Sequence, residues 1–148
     1  MTVIFDENLS PALARALNAL FAGEHEVAHI RDKFGPKVDD ADWISALSAE
    51  GRWVVVSGDA KIARRKSEQA AFRNSRLIGF FFAPGLSRSK VTKQMQRLLA
   101  LWDDVEIIAD RVAGGVDVRA SDIGKNPAAE DVDVGLRGSR ELQNRGST

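Results

Sequence analysis

The sequence predicts an α/β fold, with a mainly parallel central sheet covered by helices on both faces. Three observations carry this. Short, continuously apolar runs of strand-forming residues recur along the chain, as strands buried on both faces should read. Stretches of 11–16 residues with apolar side chains at helical spacing separate them. Strands alternating with helices imply right-handed crossovers, which lay the strands side by side in parallel.

Each element has its own local signal. Thr2–Phe5 is a short apolar run closed by Asp6-Glu7-Asn8. From Leu9 to Phe21 the apolar residues Leu9, Leu13, Ala16, Leu17 and Leu20 recur at helical spacing, with Ser10 placed to cap the helix and Pro11 at its first position. Gly23 ends that helix. Glu26–Ile30 reads as a second strand, and Arg31–Val38 as a loop punctuated by Gly35-Pro36. Asp40–Glu50 is helical, carries Trp43, Ile44 and Leu47 on one face, and stops at Gly51. Trp53–Ser57 is a third strand, Ala60–Phe72 a basic helix, and Leu77–Phe82 a fourth strand closed by Pro84-Gly85. A last helix spans Ser87–Trp102, with Val91, Met95, Leu98 and Leu99 inward and Arg88, Lys90, Lys93 and Arg97 outward. Val105–Ile108 and Val116–Arg119 are candidates for further short strands. Residues 1–120 then form one α/β domain. Residues 121–148 hold few large apolar side chains and no usable period, which predicts a flexible polar tail.

Composition narrows the function. At 148 residues and 44% hydrophobic, the chain can bury a core of ordinary size. No apolar run of about 18 residues is present, so no membrane span is expected. No basic segment followed by an apolar stretch opens the chain, and it holds no cysteine. Disulfides, thiolate metal sites and cysteine nucleophiles are excluded, and a reducing cytoplasm is the expected location. The 21 basic and 21 acidic side chains cancel, but not locally. Residues 1–60 carry ten acids against five bases, residues 61–101 ten bases against Glu68, and residues 102–148 ten acids against six bases. The middle of the chain is a basic block, suited to a polyanion, to an acidic partner protein, or simply to a solvated helical face.

The acids of the first segment fall where an open parallel sheet binds ligands, beyond the carboxyl ends of its strands. Asp6, with Glu7 and Asn8, follows the first strand, and Asp59 follows the third through Ser57-Gly58. Asp40, flanked by Asp39 and Asp42, opens a helix that must begin near the same edge. Converging carboxylates repel one another unless a cation intervenes, and an all-oxygen donor set describes a Mg²⁺ or Mn²⁺ site. Each residue also has a plainer reading: Asp40 and Asp59 could cap helices. Ser57 could orient a carboxylate or satisfy a local backbone group. His25 and His29 lack a third ligand and favour structural roles over zinc binding. No GxSxG elbow or glycine-rich phosphate loop is present. Trp43 and Trp53 fit a helix–strand core contact better than a base-stacking platform.

The strings VIFDENLSPALARAL and DDADWISALSAEGRWVVVSGDAKIARR resemble the PIN-like domains of VapC-type toxins from bacterial toxin–antitoxin pairs. The resemblance is closer to a compact branch in which a strand ends in Asp-Glu-Asn, Asp-x-x-Trp follows, and a Ser/Thr-x-Asp ends a later strand. It covers about residues 2–85. It implies a three-layer α/β/α sandwich and a Mg²⁺- or Mn²⁺-dependent endoribonuclease, the toxin of a type II pair. It also implies an RNA substrate and a cognate antitoxin as partners; the oligomeric state stays open, a homodimer included. Carried over, Asp6, Asp40 and Asp59 match the metal-binding, catalytic acids. Glu7, Asn8, Asp42, Ser57 and Glu68 are supporting candidates. Many PIN-like sequences place a fourth acid two positions after the third; here that position is Lys61. Lys61, Arg64, Arg65, Lys66, Arg73 and Arg76, with Arg88 to Arg97, are the candidates for contact with RNA phosphates, a positioning role. The competing reading is a non-catalytic PIN-like module that binds RNA or protein, favoured by Lys61. A phosphorylatable receiver domain ranks last, because Gly79–Gly85 offers no Thr/Ser or Lys where that fold needs them.

Overall fold

A computed structural model describes residues 1–58, 66–111 and 116–118. The elements in order are β1 (Thr2–Phe5), α1 (Pro11–Leu20), β2 (Glu26–His29), α2 (Ile30–Phe34), α3 (Asp40–Glu50), β3 (Trp53–Ser57), α4 (Lys66–Arg73), β4 (Ile78–Phe81), α5 (Pro84–Ser87), α6 (Val91–Arg111) and β5 (Val116–Val118). The strands pair in parallel in the order β2-β1-β3-β4-β5. The expected parallel sheet between two helical layers is present. Of the two short strands expected late in the chain, the one at Val116 forms, as β5.

Strand alternation divides the core in two. Val3, Phe5, Val54, Val56, Ile78 and Phe80 point to one face, where Leu13 and Leu17 of α1 and Leu98, Trp102 and Val105 of α6 cover them. Ile4, Val55 and Phe81 point to the other, under Trp43, Ile44 and Leu47 of α3 and Phe72 of α4. Trp43 and Trp53 share this second core, as expected. Gly79 of β4 lies on it too: a Cβ there would stand 2.9 Å from Phe72 Cζ and 3.0 Å from Phe81 Cε2. The missing side chain lets the Phe72 ring rest on the strand.

Chain direction through the sheet reverses once. β2 lies on one side of β1, and β3 returns to the other. α1 and α3 accordingly cover opposite faces, as right-handed connections require. The last connection departs from that hand, because α6 shares a face with α1 while strand order continues onward. The crevice outside the carboxyl ends of β1 and β3 is the switch point at which such sheets bind ligands.

Three sequence expectations need correction. The stretch Arg31–Val38 is not all loop: α2 occupies its start, capped by the His29 ring, which accepts the Arg31 N–H at 3.0 Å. A helix of so few residues leaves no periodic signal. Val105–Ile108 is not a strand but part of α6, which runs on to Arg111. The buried face of α6 also differs from the expected one: Gln94, Leu98, Trp102 and Val105 are buried, whereas Val91 and Leu99 are each 41% exposed. Gln94 claims an inward position because its amide donates to the carbonyls of Leu86 and Ser87, both at 3.2 Å. A stripe built from apolar residues alone cannot register it.

Candidate functional site

The carboxyl ends of β1, β3 and β4 meet at Gly58. A Cβ on that residue would lie 3.3 Å from Leu9 Cδ2, 3.3 Å from Ser87 Cβ and 3.6 Å from Asn8 Cβ. The loop after β1, the end of β3 and the corner after β4 therefore crowd a single point. Two backbone bonds extend the sheet into it, from Asp6 N to Val56 O at 3.0 Å and from Phe82 N to Ser57 O at 2.8 Å.

Asp6 sits at this junction, 3% exposed. Its Oδ1 accepts the Glu7 N–H at 2.7 Å, and its Oδ2 accepts the Ser57 hydroxyl at 2.9 Å and the Asn8 amide at 3.2 Å. Fully buried Ser57 thus orients a carboxylate, one of the two roles its sequence position allowed. Three donors on two oxygens fix the plane of the carboxyl group. Glu7 itself points outward and pairs with Arg31 at 2.9 Å.

Asp40 reaches the same edge from the other helical layer. The far end of α3 is tied to the amino edge of the sheet, where Ser48 Oγ accepts the Arg76 N–H just ahead of β4 and Glu50 accepts the Trp53 indole N–H. Its first turn consequently faces the carboxyl edge. Asp40 is not the helix cap that one reading allowed: Asp39 occupies that position, and Asp40 Oδ1 accepts the Trp43 indole N–H at 2.9 Å. Asp42 is exposed. Asp59, Lys61, Arg64 and Arg65 lie outside the described residues, as do the side chains of Lys66 and Glu68 on α4. Among the described residues no group of three His, Asp or Glu side chains gathers to hold a metal ion.

The candidate cations divide between two edges. Arg73 and Arg76 end α4 and precede β4, so they stand at the amino edge, away from Asp6. Arg76 there lines a groove of about 490 Å³ together with Ser45, Ser48 and Asn74. Arg88, Lys90 and Lys93 follow the β4 corner at the carboxyl edge, and all three are exposed. The structure brings those three toward Asp6 and leaves Arg73 and Arg76 behind.

Both histidines are structurally engaged. His25 Nε2 lies 2.6 Å from Glu106 Oε1, and its ring packs edge-on against Phe21. His29, fully buried, bonds to the Leu9 carbonyl and caps α2. Its tie to the Asp6 loop joins residues 20 apart, which no local pattern in the sequence announces.

A family model described as a PIN like domain matches residues 1–84, more than half of the chain. The chain belongs to the PIN-like domain family. Domains of this family are typically nucleases, so the fold is of nuclease type. Comparison with curated proteins and with solved structures gave no match. No helix among the described residues is long and apolar enough to cross a membrane.

Proposed function

We propose that the chain is a metal-dependent endoribonuclease, the toxin of a type II toxin–antitoxin pair, working at the carboxyl edge of β1 and β3. One observation supports this most: in a PIN-like chain, the Asp6 carboxylate is buried at the switch point and held in one orientation by the Ser57 hydroxyl. Asp6, Asp40 and Asp59 are the residues that would hold Mg²⁺ or Mn²⁺. Their oxygen-only donor set fits such a hard cation. Bound there, the ion would acidify a water and neutralise charge at a phosphodiester. The chain's own residues do the rest. Ser57, Asn8 and the Glu7 amide keep the Asp6 carboxylate from turning. Arg88, Lys90 and Lys93, at the same edge, would hold RNA phosphates on either side of the cleaved bond.

The test is RNA cleavage by the purified chain with Mg²⁺, with Mn²⁺ and with EDTA. Metal-dependent cutting that disappears in Asp6→Asn and Asp59→Asn supports the proposal. Cutting that survives both substitutions refutes the site. The second reading, a non-catalytic binding module, draws on Lys61 at the usual fourth-acid position; it predicts a gel shift of RNA with no cleavage under any metal. Relief of growth arrest by an antitoxin-like protein from the adjacent reading frame would support the toxin role.

A further inference from the structure

Asp6 is the first residue of a tight turn. Leu9 N–H donates to the Asp6 carbonyl at 3.0 Å, and the Glu7 N–H inside the turn donates to Asp6 Oδ1 at 2.7 Å. The same turn thus carries the Glu7 amide that holds the carboxylate and the Leu9 residue that closes the turn. Its end is held from the neighbouring edge strand. His29, paired with Phe5 in the β1–β2 register, aims Nε2 at the Leu9 carbonyl at 2.7 Å. A carbonyl only accepts, so Nε2 carries the proton; Nδ1 accepts the Arg31 N–H, so it carries none. One imidazole thus joins the β2–α2 junction to the Asp6 turn, using both nitrogens in the single tautomer that permits it. The exposed Arg31–Glu7 ion pair adds a second strap between the same two segments.

We infer that His29 is a positioning residue for the Asp6 carboxylate, acting through the Leu9 carbonyl. This rests on the reading of Asp6 as a metal-binding acid. A buried histidine could instead serve only as the cap of α2, and the two nitrogens allow the roles to be separated. In His29→Gln the amide N–H reaches the position of Nε2 and keeps the bond to Leu9. In His29→Asn the shorter side chain keeps an acceptor near Nδ1 for Arg31 and loses Leu9. Outer partners that orient metal-binding groups are worth roughly 10–100-fold in metal affinity.

The experiment measures Mn²⁺ affinity by titration calorimetry and hydrogen exchange of the Glu7 amide by NMR in both variants, with thermal melts to compare their stabilities. The expected result is near wild-type behaviour in His29→Gln. His29→Asn, which acts one contact further out, should bind Mn²⁺ more weakly by up to about tenfold and exchange the Glu7 amide faster, with amides of α1 such as Leu17 unaffected. Wild-type affinity and wild-type Glu7 exchange in His29→Asn, with losses confined to His29→Gln, would overturn the inference in favour of a helix cap. So would equal losses in both variants that follow their melting temperatures. Wild-type protein that binds no Mn²⁺ would sink the metal reading of Asp6, and the Glu7 exchange rates would still decide whether His29 positions the carboxylate.

Discussion

Replacing Asp40 separates a carboxylate used in chemistry from one that only supports a tryptophan. Its Oδ1 accepts the Trp43 indole N–H at 2.9 Å, and Trp43 is 1% exposed, so that N–H depends on Asp40. Asp40→Asn keeps an oxygen for the indole but removes the charge. The bond then drops from the charge-assisted range of about 1.5–3 kcal/mol to the neutral range of about 0.5–1.5 kcal/mol. The first turn of α3 also loses a favourable acid–dipole contact of about 0.3–1 kcal/mol. Together these amount to about 1.3–2.5 kcal/mol. Asp40→Ala goes further and leaves a buried donor unpaired, costing about 1–3 kcal/mol in addition to the dipole loss. Each kcal/mol should lower Tm by roughly 2–8 °C for a domain of this size. The assay pairs thermal melts with Mn²⁺-dependent RNA cleavage well below both transitions. If Asp40 serves the working edge, Asp40→Asn abolishes cleavage in a protein that is still folded, and Asp40→Ala melts lower without being less active than Asn. Wild-type cleavage by Asp40→Asn would refute the reasoning and leave Asp40 as a support for Trp43.

Other substitutions probe the same architecture. Ser57→Ala removes a buried hydroxyl bond to the Asp6 carboxyl group, so stability should fall by about 1–3 kcal/mol. Its kcat should fall more than its KM rises, and kinetics showing KM alone affected would contradict the orienting role. Gly79→Ala pushes a methyl against the Phe72 ring and should cost about 1–3 kcal/mol in denaturant melts. Adding Phe72→Leu should recover part of that loss, and strict additivity of the two would deny the contact. Lys93→Ala should weaken RNA binding and lower the slope of log affinity against log salt by about 1, whereas Arg76→Ala, at the other edge, should leave that slope unchanged.

Much of this molecule could be read from local pattern, because the relevant physics is local. Ser10 does cap α1, accepting the Ala12 N–H at 3.2 Å, with Pro11 at the first helical position and Gly51 closing α3. β3 is buried at all five positions, as its apolar run Trp53–Val56 required for the first four, with Ser57 buried against Asp6 at the fifth. The acids after β1 and at the head of α3 lie at the edge that strand–helix alternation alone had indicated. Short elements and buried polar groups escaped. α2 is too brief to show a period, and Gln94 reads as a surface residue until the carbonyls it serves are in place.

What the sequence determined by itself was the longer strands and helices, the order of the acids along the chain, and the family to which they belong. Tertiary structure decided which of those groups act together. Ser57 reaches Asp6 across 51 residues, and His29 holds the turn that Asp6 begins. Within one basic block, Arg88, Lys90 and Lys93 stand at the Asp6 edge while Arg73 and Arg76 face away from it. The reason is geometric. Periodicity records which face of an element is buried, but the meeting of distant side chains depends on strand order and direction, and those are set by packing the whole sheet between its two helical layers.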